Sequence, residues 1–387
     1  MPGMSAAPNS EWSILLAACS VTPADQKHSL LAPLLQQSVR WPLLFALAEE
    51  HGVQPLLLQS LLDVEQNVPG ENLLSLKQSC QVNLHKALLL SRELIRIVGH
   101  LSALGMEVMP YKGLALAEIA YGDIALRQSG DIDLLIRASD LNRVRDAVRE
   151  LGYTSHEVLS EPEERAYLKS GYECSFDGAA GPNLLELQWG ILPRFYAIDF
   201  DMAGLFERAA NVSVAGQPTK TPSASDLFLV LSAHAAKHVW GRLIWLCDIA
   251  RMMGLPGLDW DWIQLQSEDL GIKRILQVGM LLANRLLGAV TPAAAQKRFS
   301  DDRDAEELAA EIQKHILSDK AYNVESVAYF RLMMRLREKR SDRLRFLTRL
   351  VFTPGPSEWK AIRLPEPLFP LYRMVRLSRL AAKLVGA

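Results

Sequence analysis

Between Arg127 and Ile136 the chain reads Arg-Gln-Ser-Gly-Asp-Ile-Asp-Leu-Leu-Ile, the most informative segment of the sequence. On a strand, residues two apart share a side, so Asp131 and Asp133 project together while Ile132, Leu134 and Ile136 face a buried side. Side-by-side carboxylates repel unless a cation lies between them. Hard oxygen ligands at a strand end suit Mg²⁺ held together with substrate phosphates. A solvated acidic turn is the ordinary alternative for an isolated Asp-x-Asp.

Two further segments bear on that choice. Leu184-Leu185-Glu186-Leu187-Gln188-Trp189 reads as another strand, with Leu184, Glu186 and Gln188 on one face and Leu185, Leu187 and Trp189 on the other. A Glu in an apolar strand is costly unless it is paired, metal-bound or at a solvent-facing edge. Upstream, Tyr111-Lys112-Gly113-Leu114 joins a strand to a helix. Its Gly permits close backbone approach, the helix start offers free N–H groups and Lys112 adds positive charge, which together make a triphosphate cradle. Turn geometry and solvation account for the same pair equally well when it is considered alone.

The order around these motifs is mixed. Short strands are expected at 107–111, 131–136, 171–176 and 184–189, with helices at 114–120 and 140–151. Residues 10–104 are rich in Leu, Ala, Gln and Glu, and Leu74, Leu76, Val82, Leu84, Leu88, Leu89, Leu94 and Ile95 recur at amphipathic-helix spacings. A helical stretch is expected again over 225–253. The resulting division is an N-terminal helical region (1–104), an α/β core (105–222), a helical domain (223–328) and a basic C-terminal helical region (329–387).

Composition removes several alternatives. The chain has 387 residues, 49% hydrophobic and 22% charged, which excludes disorder, and its four cysteines show no zinc-ligand spacing. A reduced, cytoplasmic protein is the simplest expectation. No apolar run reaches the roughly 18 uncharged residues of a membrane span, and Trp12–Cys19, preceded by Glu11 and no cation, reads as a buried helix rather than a secretion signal. From Arg331 to Lys383, fourteen Lys and Arg face four Asp and Glu, so this region is about +10 and the remainder about −12. Its helix face carrying Arg337, Arg340 and Arg343 is expected to meet an anionic partner, either tRNA or a peripheral membrane surface, or else the acidic remainder of the chain itself.

One more cluster is His234-Ala-Ala-Lys237-His238, followed by Trp245 and Asp248. A zinc protease needs Glu directly after the first His, where this chain has Ala235. The helix either packs with satisfied histidines or brings His234 or Lys237 to a phosphate, with Asp248 holding a partner. No Gly-x-Ser-x-Gly elbow occurs, and Gly216–Thr221 lacks the glycine spacing of a phosphate loop.

Taken together, Lys112-Gly113, Arg127-x-Ser129-x-Asp131-x-Asp133 and the later Glu186 resemble the nucleotidyltransferase superfamily that includes DNA polymerase β. The chain is more closely similar to the bacterial uncharacterised nucleotidyltransferase family, whose Lys-Gly, Asp-Ile-Asp-Leu-Leu, Glu-Leu-x-Trp and His-x-x-x-His signatures it carries over most of residues 20–375. It also resembles abortive-infection nucleotidyltransferase toxins. In the common superfamily pattern Gly-Ser lies nearer the acidic pair, whereas Gly113 precedes Asp131 by eighteen residues. The resemblance implies an α+β fold: a small mixed-sheet core flanked by N- and C-terminal helical regions. It implies transfer of a nucleoside monophosphate from a nucleoside triphosphate to an acceptor hydroxyl, with two Mg²⁺ (or Mn²⁺) ions and release of pyrophosphate. Asp131, Asp133 and Glu186 would be the catalytic, metal-binding residues; Lys112, Gly113, Arg127, Ser129, His234 and Lys237 would bind nucleotide. A toxin-like enzyme acting on tRNA and a catalytically silent binding protein of the same fold are the alternatives.

Overall fold

In a computed structural model, the structure describes residues 9–156, 159–179, 181–299, 302–318, 322–323 and 326–385. Five short strands form one sheet: β1 (Val108–Pro110), β2 (Ile132–Ile136), β3 (Thr154–Ser155), β4 (Glu173–Gly178) and β5 (Gly181–Gln188), in the order β1-β2-β5-β4-β3. Only β2 and β5 run parallel; the other neighbours are antiparallel. A separate hairpin, β6 (Ala210–Val214) and β7 (Gln217–Thr221), takes up the Gly216–Thr221 segment. The class is the expected one, a small mixed sheet flanked by helices.

The period-2 pattern divides this sheet between two cores. Ile132, Leu134, Ile136, Phe176, Leu185 and Leu187 join a core with Val144 and Val148 of the helix Leu141–Glu150. On the other face Met109 and Leu135 pack into a larger core, built from the N-terminal helices, Ala224–Lys237, Leu243–Met253 and Lys273–Leu287. Within that larger core Trp12, Ile14 and Leu15 bury the Ser10–Cys19 helix. The 34-residue helix Gly70–Ala103 spans both cores. Leu73 and Leu76 sit in the larger one, and Ala87, Leu90, Leu94, Ile97 and Leu101 in the sheet core. Several apolar residues expected on its packed face lie outward instead: Leu74, Val82, Leu88 and Leu89 are at least half exposed. A helix that changes partners along its length follows no single stripe, so periodicity alone misassigns its face.

The basic C-terminal region also differs from expectation. Helices Val327–Arg335 and Arg340–Phe352 are separate, and Arg337 in the turn between them is buried, its Nη2 donating to the Tyr196 carbonyl at 2.7 Å. It therefore presents no charge to a partner. Leu344 and Leu347 are exposed. Other cations here pair within the chain: Arg349 forks onto Asp199 at 2.6 and 2.7 Å, and Arg376 and Arg379 share Glu358 at 3.2 and 2.8 Å. Among the described residues no helix is long and apolar enough to cross a membrane.

Candidate active site

Parallel pairing of β2 with β5 sets Asp133 directly opposite Glu186, and Asp131 immediately precedes β2. Period-2 geometry then turns all three carboxylates toward one side of the sheet. There they border a cavity of about 380 Å³ that is also lined by Lys112, Gly113, Arg127, Ser129, His234 and Lys237. Residues from 112 to 237, on strands, loops and a helix, thus share one cleft.

The Lys112 Nζ lies 2.9 Å from Asp133 Oδ1, both side chains being nearly inaccessible to water. Burial disfavours the Lys112 cation, but Asp133 more than compensates and its pKa ends above the ordinary lysine value. Gln188 ties the cluster together. Its Nε2 donates to Glu186 Oε2 at 2.9 Å, Asp133 Oδ1 at 3.2 Å and Glu173 Oε2 at 3.3 Å, while its Oε1 accepts from the Tyr111 hydroxyl. Neither Gln188 nor Glu173 is among the site residues expected from the sequence. The signal was available for Gln188, two residues beyond Glu186 on the same strand face; Glu173 required the β4–β5 register.

The strand-to-helix junction shows why position 113 takes glycine. Gly113 has φ +52°, and a Cβ there would sit 3.5 Å from both Ser129 Oγ and the Asp131 carbonyl. The left-handed conformation is what excludes a side chain; the space alone would tolerate one. The eighteen residues between Gly113 and Asp131 are therefore closed up in space. The junction opens the nine-residue helix Gly113–Tyr121, which has no side-chain cap and whose first residue, Gly113, lines the cleft.

Arg127 is buried and forks onto Asp248, with Nε to Oδ1 and Nη2 to Oδ2 both at 2.9 Å; Tyr121 also donates to Oδ1, at 2.7 Å. Asp248 thus holds a partner, as its position suggested, and that partner is Arg127. The Arg127 Nη1 reaches Ser129 Oγ at 3.4 Å, so the pair also steadies the loop entering β2.

Opposite the carboxylates, the expected continuous helix over 225–253 is broken. Ala224–Lys237 ends with His238 as its cap, Val239 and Trp240 adopt left-handed φ of 54° and 49°, and Leu243–Met253 starts anew. Two successive non-glycine residues in that region are unusual, and the buried Trp240 side chain anchors the reversal. His234 and His238 still lie 4.9 Å apart between ring centres, and Trp245 stacks on His238 at 4.9 Å. Burial, reinforced by nearby lysines, holds both imidazoles neutral, His238 down to about 3. Lys237 is half-buried, its Nζ 3.0 Å from the Tyr172 hydroxyl, and burial lowers its pKa.

The acidic cluster is under-compensated. Burial, then repulsion from Asp133, raises Asp131 to about 6; burial, then Asp133 and Glu173, raises Glu186 to about 8. That strain is what a divalent cation relieves, and an all-oxygen donor set suits Mg²⁺ or Mn²⁺. As the side chains stand, no three His, Cys, Asp or Glu among the described residues converge on one ion position; the Lys112 and Gln188 nitrogens contact Asp133 and Glu186 instead. The residues fit a metal in chemistry and charge, with side-chain rearrangement needed to ligate it.

A pH effect follows. Both carboxyls titrate higher in the folded chain than in the unfolded one, so the folded form keeps protons the unfolded form has lost, and stability falls as pH rises from about 4.5 toward 8. Without metal, Glu186→Gln should match the parent near pH 4 and exceed it at pH 8 by about 1–3 kcal/mol, a rise of about 2–4 °C in melting temperature. Thermal melts with a chelator across that range measure it; a variant no more stable than the parent at pH 8 would show that the cluster is not strained.

No curated protein matches the chain, and no solved structure matches it. A sequence model of a family described as uncharacterised nucleotidyltransferase matches residues 37–288, the span that contains the sheet, every cleft residue named above and the helices behind them, so the chain belongs to the uncharacterised nucleotidyltransferase family.

Proposed function

We propose that this chain transfers a nucleoside monophosphate from a nucleoside triphosphate to an acceptor hydroxyl, within a superfamily shared with DNA polymerase β. The observation carrying this reading is the pairing of Asp133 with Glu186 across two parallel strands, with Asp131 beside them, in a cleft also lined by Lys237 and two neutral histidines.

In this reading the triphosphate lies over the Gly113 helix start, where free backbone N–H groups and Ser129 meet its oxygens and Lys112 and Lys237 neutralise it. Arg127, fixed by Asp248, holds the Ser129 loop in place. Asp131, Asp133 and Glu186 would hold two divalent cations, which would neutralise phosphate charge and lower the acceptor hydroxyl's pKa. The acceptor oxygen forms a bond to the α-phosphorus, the bond to the β-phosphate oxygen breaks, and pyrophosphate leaves with that electron pair. The hydroxyl proton passes to solvent. No covalent enzyme intermediate is required, since positioning and charge neutralisation carry such reactions.

Transfer of label from [α-³²P] nucleoside triphosphates to extract components, with Asp131→Asn as the control, tests this. Label transfer that Asp131→Asn abolishes supports it. Nucleotide binding without any turnover would instead favour a catalytically silent binding protein, a reading to which the Lys112–Asp133 pair lends some support by satisfying the carboxylate without metal.

The half-buried Lys237 gives a further check. Removing a cation that meets phosphate should weaken triphosphate binding about 10-fold or more, at a stability cost within about 1 kcal/mol. Equilibrium binding to Lys237→Ala measures it, and unchanged affinity would return that helix to a purely packing role.

A further inference from the structure

A second cavity, of about 520 Å³, lies at the edge of β4 against the helices Leu141–Glu150 and Glu161–Ser170, lined by Arg145, His156, Glu164, Ser175 and Glu186 among others. Of its walls, only Glu173 and Glu186 also line the nucleotide cleft. Ser175 stands directly opposite Glu186 in the antiparallel β4–β5 register, so a molecule against Ser175 is one strand away from the carboxylate that faces the triphosphate.

This arrangement separates entering from leaving group. An in-line displacement at phosphorus requires the nucleophile and the departing pyrophosphate on opposite sides of the α-phosphate. With the pyrophosphate moiety over Gly113 and Lys112, the nucleophile must come from beyond Glu186, where the second cavity lies. We propose that this cavity is the acceptor subsite and that it takes a small, non-anionic polyhydroxy compound of the sugar or polyol class. The inference rests on the nucleotidyl-transfer reading above.

The class follows from size and charge. The volume is in the usual range for small-molecule sites, about 300–1,000 Å³. Among its described lining residues the one arginine, Arg145, is already paired with Glu164, and His156 Nδ1 lies 2.9 Å from Asp177, so each cationic side chain there already has an acidic neighbour. A phosphodiester or a sugar phosphate would find no uncommitted cation among those residues to receive it, so a tRNA end is disfavoured. Fixed polar groups such as the Ser175 hydroxyl, the Arg145 guanidinium and the His156 ring offer the mixed donors and acceptors that several hydroxyls require. In the step itself one acceptor hydroxyl oxygen bonds to the α-phosphorus, the α–β bridging oxygen leaves with its electron pair in pyrophosphate, and the hydroxyl proton passes to solvent.

The test uses the full chain, Mg²⁺ and α-labelled nucleoside triphosphates against three acceptor sets: uncharged and amino-substituted sugars and polyols, sugar phosphates, and tRNA. The parent is expected to label a member of the first set. Ser175→Trp, which fills the cavity, should then lower transfer about 100-fold, and the milder Ser175→Val should raise the acceptor KM about 2–10-fold, both with triphosphate Kd within about threefold of the parent. Melting temperatures and triphosphate binding establish that each variant is folded. Label passing only to sugar phosphates or tRNA overturns this inference alone, as do Ser175 variants that transfer like the parent. A parent that binds no triphosphate, or binds it and transfers label to none of the three sets, overturns the nucleotidyl-transfer reading and this inference with it.

Discussion

Asp131→Asn is expected to lower nucleotidyl transfer about 10³-fold while raising, not lowering, the stability of the metal-free protein at neutral pH. Asp131 is under-compensated: burial and Asp133 raise it to about 6, and among the described residues it has no ion pair. Only the longer-range fields of Lys112, Arg127 and Lys86 oppose those effects. Neutralising it removes repulsion worth about 1–3 kcal/mol at pH 7.5. Asp133→Asn should lose transfer to a similar degree with the opposite effect on folding. Its carboxylate is the counter-ion of Lys112, and removing one partner of a buried pair costs about 3–5 kcal/mol, less whatever the lysine recovers by losing its proton. Two substitutions of identical chemistry, two residues apart on one strand, should therefore shift the melting temperature in opposite directions. Activity assays with chelator-treated melts measure both. Full activity in either variant would remove that residue from the metal pair, and equal destabilisation in both would contradict the repulsive cluster.

The asymmetry between Asp131 and Asp133 marks the boundary of what the sequence discloses here. Strand periodicity places both aspartates on one side and opposite Ile132 and Leu134, because that follows from the pleat alone. It also places Glu186 with Gln188. Which carboxylate has a cation depends on Lys112, twenty-one residues upstream, coming back over β2, and no local pattern reports that. The helix break after Lys237 was hidden for a related reason: Val239 and Trp240 have no turn chemistry, and their left-handed backbone is held by the burial of Trp240. Propensity reads continuous helix there, and tertiary packing overrides it. Arg337 shows the same limit among charges, since a count of cations cannot tell one whose guanidinium donates to a buried carbonyl from one in water.

Asp248→Ala should be among the most damaging single substitutions in the chain, at about 3–5 kcal/mol. The residue lies on the helix Leu243–Met253, 121 positions from Arg127, and the two form a doubly hydrogen-bonded pair out of contact with water, with Tyr121 as a third partner. Burial disfavours the Arg127 cation, yet Asp248 and then Tyr121 hold its pKa above the usual value, so the guanidinium stays charged and has no means of neutralising itself when Asp248 is removed. A buried lysine sheds its proton under such conditions; an arginine does not. The damage extends to function through geometry. Arg127 fixes the loop bearing Ser129 against the Gly113 helix start, so its release displaces the groups proposed to meet the triphosphate, and affinity should fall with stability. The double variant Arg127→Met/Asp248→Leu separates the two consequences. Replacing both charges with apolar groups of similar volume removes the stranded cation and should restore most of the lost stability, whereas triphosphate affinity should stay low because nothing then orients Ser129. Chemical denaturation and equilibrium nucleotide binding on the single and double variants make the comparison. Recovery of affinity together with stability would show that the pair only holds the helices to the sheet, and that the Ser129 loop is positioned by other contacts.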